Sequence, residues 1–166
     1  PLTSSAASDV YKRQAFMKFN PDVVIHLASC PNAKILQFNA REETSTAIQG
    51  TLRVLEMCIK NAVKRIVLSS SSMVYGDFEN AVEDDQLNPS GQYSIWKIAG
   101  EELVKQYADE TKQNVVILRP TAVYGPLDVS DRVIGTFFKR AIANETLYVN
   151  GLSLIHISEP TRQRVI

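Results

Sequence analysis

The sequence predicts an α/β fold, part of a doubly wound parallel sheet, from three observations. Apolar runs of strand length alternate with longer segments whose apolar residues recur at helical spacing. The runs are dense in Val, Ile and Leu, as strands buried on both faces of a parallel sheet are. Each run also ends in small, hydroxyl-bearing or charged residues, and parallel pairing collects such strand ends along one edge, where ligands of open α/β sheets bind.

The elements follow in order. Asp22-Val-Val-Ile-His-Leu-Ala28, directly after Pro21, is the first strand, expected to be buried on both faces. A loop with Pro31 and Asn32 comes next. Residues 46–62 carry Ile48, Leu52, Leu55 and Ile59 at helical spacing, and residues 65–70 form the second buried strand. Residues 77–91 are acidic and turn-rich, with Asn88-Pro89 and Gly91, and are expected to form a loop with Glu83, Asp84 and Asp85 in solvent. A helix over 93–111 aligns Ile95, Ile98, Ala99, Leu103 and Tyr107 along one side, and residues 115–118 form the third strand, ending at Arg119-Pro120. Asp131 is placed to cap a last helix that would bury Val133, Ile134, Phe137, Phe138, Ala141 and Ile142. Leu147 to Val149 reads as a short extended piece. Strand, helix, strand, helix, strand makes two crossover units with right-handed connections. The three strand ends, Ala28-Ser29, Ser69-Ser70-Ser71 and Arg119-Pro120-Thr121, then share one edge.

Bulk properties exclude several classes. The 166 residues suffice for one domain with a real core. Hydrophobic residues make up 45% and charged residues 22%, the balance of a soluble globular chain. Formal net charge is zero and the pI about 7.2, so no basic footprint for nucleic acid is present. No apolar run has the roughly 18 residues of a membrane span. The two cysteines, Cys30 and Cys58, have no metal-like spacing; no metal site is expected, and reduced thiols of a cytoplasmic protein are. No export signal is visible.

The chemistry concentrates near the strand edge. Tyr93 and Lys97 stand four residues apart in Gln92-Tyr-Ser-Ile-Trp-Lys-Ile-Ala-Gly, hence on one helix face. An ammonium beside a phenol favours the phenolate, which suits the pair to moving a hydroxyl proton. Upstream, Ser69 to Ser72 place a hydroxyl cluster at the end of a strand. His26 reads as a strand residue satisfied by its neighbours, and Trp96 and Tyr75 as packing.

Both ends carry an unusual signature. The codons for Asp9 to Gln14 can be the reverse complement of those for Leu152 to Ile157, an inverted repeat at the DNA level. Residues 4–14 and 152–162 resemble the translated arms of a transposase-based sequencing adapter. Residues 1–14 and 152–166 are therefore expected to be non-native and to pack on nothing specific. The genuine segment is expected to be 15–151, a piece of a longer gene.

That segment resembles the extended short-chain dehydrogenase/reductases, in the NAD-dependent epimerase/dehydratase branch. The matching pieces are the first strand, Gly50-Thr-Leu-Arg-Val-Leu-Glu56, Ser69-Ser-Ser-Ser-Met-Val-Tyr-Gly76, Tyr93-Ser-Ile-Trp-Lys97 and Leu118-Arg-Pro-Thr-Ala-Val-Tyr-Gly-Pro126, in the family's order and spacing. The resemblance implies a partial Rossmann-like domain with the start of a substrate region. It implies Tyr93 as general acid/base, Lys97 lowering its pKa and holding the nicotinamide ribose, and Ser71 bonding the reacting oxygen. Leu27, Ala28, Ser29, Ser69 and Ser70 would line the dinucleotide, NAD or NADP, together with Tyr93 and Lys97. Pro120, Thr121 and Val123 would flank the nicotinamide. A nucleotide-sugar or other small-molecule substrate and a homodimeric parent are further implications. Arg132 reads equally as a phosphate contact and as a surface arginine.

The sequence departs from the family in two places. The Gly-rich phosphate turn and its strand do not occur, and most of the substrate domain is lacking, so the fragment is expected to be inactive alone. Ala47 stands where many relatives carry Asn. In 4,6-dehydratases Asp-Glu follows the hydroxyl residue; here Ser72-Met73 occupies those places, which favours an epimerase or simple oxidoreductase. The rivals are an aryl or steroid alcohol dehydrogenase of the same superfamily and a non-catalytic dinucleotide-sensing protein.

Overall fold

Strands β1 (Val23–His26), β2 (Arg65–Ser69) and β3 (Asn114–Leu118) form a parallel sheet in the order β1-β2-β3. Its register sets Val24 opposite Ile66 and His26 opposite Leu68, and continues with Ile66 opposite Val115 and Ser69 opposite Leu118. In this computed structural model the described residues are 4–29, 44–78, 80–125 and 133–148. The chain divides into two units, Pro1–Thr121 and Ala122–Ile166, and the sheet belongs to the first.

Helices alternate with the strands as the spacing predicts from residue 46 onward, and one further helix, not expected, precedes them. Helix α1 (Ser4–Phe19) precedes β1, and α2 (Gly50–Lys60) follows a π-helical turn (Ser45–Gln49). Helix α3 (Gln92–Thr111) joins β2 to β3 after a 3-10 turn (Ser72–Tyr75). Asn20, at φ 41°, and Pro21 end α1: the Asn20 N–H reaches the Phe16 carbonyl at 2.9 Å, and proline cannot continue the helix. The helix crosses the expected boundary at residue 15. Of its side chains from Val10 onward only Phe16 is buried.

The core lies on one face of the sheet. Val24, Ile66, Leu68 and Val115 meet Val54, Leu55 and Cys58 of α2 and Val104 and Tyr107 of α3. A fully buried Ile66 or Val104 contributes about 1.5–3 kcal/mol relative to an exposed one. The opposite rows are open among the described residues, with Ile25 62% and Leu27 66% exposed, and Val23, Val116 and Leu118 exposed as well. The expectation of strands buried on both faces is therefore corrected. Two like-handed crossovers run in the same direction and deliver both helices to the same side.

The helical periods are right but their faces are displaced. In α2 the buried residues are Thr51, Val54, Leu55, Met57 and Cys58, while Leu52 and Ile59 are exposed. The π turn before α2 shifts Ile48 relative to that helix, and a buried threonine is invisible to a count of apolar residues. In α3 the stripe is Ser94, Trp96, Gly100, Glu101, Val104 and Tyr107, and Ile95 is exposed. Helix α2 ends in a Schellman arrangement: Val63 N–H bonds the Cys58 carbonyl and Ala62 N–H the Ile59 carbonyl. Ala62 takes the left-handed position, φ 48°, usually given to glycine, and Val63 and Cys58 are fully buried beside it.

In the second unit, α4 (Val133–Ile142) forms as expected, but none of its residues is buried. Val133, Phe138 and Ile142 are exposed, a correction to the buried face read from its spacing. Cys30, Pro31, Asn32, Asp131, Arg132 and Val149 lie outside the described residues.

Candidate active site

Parallel pairing brings the carboxyl ends of β1, β2 and β3 to one edge, as expected. At the end of β2 the chain passes through Ser70 and Ser71 into the 3-10 turn. Ser71 caps this turn in extended backbone, its Oγ accepting from the Met73 N–H at 3.2 Å. A hydroxyl that accepts still has its own proton to donate. Ser72 N–H donates to the Pro120 carbonyl at 3.0 Å and Ser70 N–H to the Leu118 carbonyl at 2.7 Å, which ties the turn to the exit of β3. Gly76 closes the turn at φ 74°, where a Cβ would lie 2.3 Å from the Asn88 carbonyl oxygen. Only glycine fits there, and the acidic loop is drawn back onto the site. Glu83, Asp84 and Asp85 are exposed in that loop, as expected.

Tyr93 and Lys97 occupy the first turns of α3 on one face. The Lys97 Nζ lies 5.5 Å from the Tyr93 ring centroid and donates to the Ser69 carbonyl at 2.8 Å. A cavity of about 20 Å³, room for about one water, lies between Lys97, Ser69, Ala28, Ser29, His26 and Thr51. The structure thus gathers four of the expected cofactor-lining residues. Leu27 is exposed beside them at the end of β1. Pro120 and Thr121 follow β3 and are exposed; Val123 is exposed in the second unit. Ser70 differs from the expectation. It is 3% exposed and its hydroxyl donates to Glu101 Oε1 at 2.5 Å, so its side chain faces the core and not the strand edge.

His26 is satisfied by a neighbour, as read. Its Nε2 lies 3.1 Å from Thr51 Oγ1, and that hydroxyl donates to the Ala47 carbonyl at 2.7 Å. Thr51 has one proton, so it accepts from His26, which fixes the Nε2–H tautomer. Burial, then the ammonium groups of Lys97 and Lys12, push the His26 pKa down and keep the ring neutral. Burial pushes the Cys58 thiol up to about 12, which leaves it inert. Among the described residues no cluster of His, Cys, Asp or Glu could hold a metal, and no helix is long and apolar enough to cross a membrane.

The sequence reading missed Glu101 and the weight carried by Arg119. Glu101 is fully buried one turn beyond Lys97. Arg119 Nε donates to its Oε1 at 3.0 Å and Nη2 to its Oε2 at 2.7 Å, a two-pronged fit of guanidinium to carboxylate. Nη1 also reaches the Tyr75 hydroxyl at 2.6 Å and the Glu83 carbonyl at 2.8 Å. The signal available was a carboxylate inside the buried stripe of a helix, facing an arginine at a strand end.

Residues 6–163 match the model of the NAD-dependent epimerase/dehydratase family. The chain belongs to this family. It is 31% identical over 132 residues to an uncharacterized UDP-glucose epimerase of Bacillus subtilis, covering 78% of this chain and 42% of the relative. It is 30% identical over 149 residues to a dTDP-D-glucose 4,6-dehydratase of Dictyostelium discoideum, covering 82% and 34%. The crystal structure of a Thermus thermophilus UDP-glucose 4-epimerase in complex with NAD superposes with a TM-score of 0.73 at 26% identity, covering 82% of this chain and 46% of that one. The Rossmann-like fold expected from the sequence is thereby shown. The chain spans less than half the length of these relatives.

Proposed function

We propose that this chain carries the catalytic segment of an NAD(P)-dependent nucleotide-sugar epimerase or oxidoreductase, with Ser71, Tyr93 and Lys97 as its reacting groups. The observation that supports this most is the hold of Lys97 on the Ser69 carbonyl beside the Tyr93 ring, two residues from Ser71. The donor set fits a dinucleotide's nicotinamide riboside. Ala28 and Ser29 put small side chains at the end of β1, and Lys97 would offer an ammonium to ribose hydroxyls. When bound, a nicotinamide would accept hydride from the sugar carbon and, in an epimerase, return it to the opposite face.

The chain's own residues manage the proton. Tyr93 takes it from the sugar hydroxyl as that carbon is oxidised, and gives it back when the carbonyl is reduced. Lys97 stabilises the ionised phenol by its charge. Ser71 donates to the reacting oxygen and holds it in line. The backbone bonds of Ser70 and Ser72 fix that hydroxyl before substrate arrives, so less orientation is left to the reaction.

Ser72 and Met73 supply no carboxyl group to help a hydroxyl leave C6 of a hexose, which favours epimerisation over dehydration. The test is product analysis after incubating the full-length protein with UDP-glucose or UDP-glucuronic acid and NAD. The expected product is the C4 epimer without net cofactor reduction. A 4-keto-6-deoxy sugar as main product would overturn the reaction type. Stoichiometric NADH would make the protein a dehydrogenase.

A further inference from the structure

We infer that Glu101 is a positioning residue whose carboxylate holds the Ser71 turn and the exit of β3 against the helix bearing Tyr93 and Lys97; this rests on the reading of those three residues as the reacting groups. Lys97 and Glu101, one helical turn apart, grip consecutive residues at the end of β2. The ammonium takes the Ser69 carbonyl and the carboxylate takes the Ser70 hydroxyl. Ser71 comes next in the chain, so the backbone that carries its hydroxyl is anchored from two points on α3. The same carboxylate receives both prongs of Arg119, which precedes Pro120, and the Pro120 carbonyl binds Ser72 N–H. One side chain, 0% exposed, therefore closes a loop through all three segments of the site.

A general stabilising role is the competing account. A buried ion pair is a weak source of stability, since desolvating both partners costs about what their attraction returns. Packing alone would be served by an apolar pair. What an apolar pair cannot do is bond Ser70 and fix the end of β2 relative to the exit of β3. Arg119 also bonds the Tyr75 hydroxyl and the Glu83 carbonyl, so the acidic loop is included in the same arrangement.

The test has two arms. In the full-length protein Glu101→Gln is expected to lower kcat roughly ten- to a hundredfold, the scale of a displaced reacting group, with KM for the nucleotide-sugar changed less than about twofold. Arg119→Lys, which keeps the charge but loses the fork, should shift kcat in the same direction. In the 166-residue chain, amide hydrogen exchange reads the geometry independently of activity. Glu101→Gln should speed exchange at Ser70 and Ser72 and leave the β1–β2 amides unchanged. If Glu101→Gln does not fold, Ser70→Ala carries the same test, with a smaller loss of kcat expected. Unchanged kcat with unchanged exchange at Ser70 and Ser72 overturns the inference, and so does a uniform rise in exchange across the chain, the mark of a general stabiliser. A full-length protein that turns over no sugar nucleotide counts against the catalytic reading, and the exchange pattern then decides the role of Glu101.

Discussion

The ammonium of Lys97 donates to the carbonyl of Ser69 across 28 residues of sequence, at 2.8 Å. This bond sets the start of α3 on the end of β2 and brings Tyr93 and Ser71 to the same strand edge. Both partners come from motifs, the serine run and the Tyr-Lys spacing, that each mean little alone. Their meeting at one point gives the catalytic reading its physical content.

Two buried titratable groups make stability depend on pH in sequence. His26 is held below 6.5 by burial and by the charges of Lys97 and Lys12. Between its folded value and 6.5 the unfolded chain binds a proton that the folded chain does not, so stability is lost as pH falls through that window. Burial pushes Glu101 up, but bonds from Arg119 and Ser70 prevail and hold it below 4.5. Its contribution is present above 4.5 and is lost as pH falls through the folded value. Thermal midpoints measured against pH should decline in two stages on acidification. His26→Asn should remove the upper stage and Glu101→Gln the lower. A wild-type midpoint that is flat from about pH 7 to pH 4 would contradict this.

Ala62 occupies the left-handed position after α2 with φ 48°. Glycine has no Cβ penalty there, and the gain outweighs its larger unfolded entropy. Ala62→Gly should raise unfolding free energy by about 0.5–1 kcal/mol in urea titrations. Destabilisation of that size would show that the Schellman geometry does not persist in solution.

The strand order, parallel pairing and site edge were legible because each rests on local signals that agree: β-rich runs, helical spacing and hydroxyl-bearing strand ends. The buried faces were less legible. A count of apolar residues misses Thr51, Ser94 and Glu101, which are buried because Thr51 and Ser94 bond helix or loop carbonyls and Glu101 meets Ser70 and Arg119. It also cannot see the π turn at Ser45–Gln49, which breaks the helical period between Ile48 and α2. Helix α4 shows the opposite limit: an amphipathic pattern predicts a helix but not what covers it.

Dinucleotide affinity should separate this chain from a full-length protein. Pyrophosphate binding in Rossmann-like folds uses backbone N–H groups of a Gly-rich turn at a helix N-terminus. No G-x-G-x-x-G turn occurs in the sequence. Calorimetric titration of the purified chain with NAD and NADP should give no micromolar binding, whereas a full-length protein should bind one of them. Micromolar binding by a monodisperse, cooperatively folded chain would refute both this expectation and the non-native reading of residues 1–14 and 152–166.

The most direct test removes one oxygen. Tyr93→Phe in the full-length protein keeps the ring beside Lys97 and deletes the group assigned to proton transfer. Turnover of the nucleotide-sugar should fall by roughly two to four orders of magnitude, the usual range for a general acid–base group, with the thermal midpoint essentially unchanged. Near-normal turnover by a folded Tyr93→Phe protein would contradict the account at its centre.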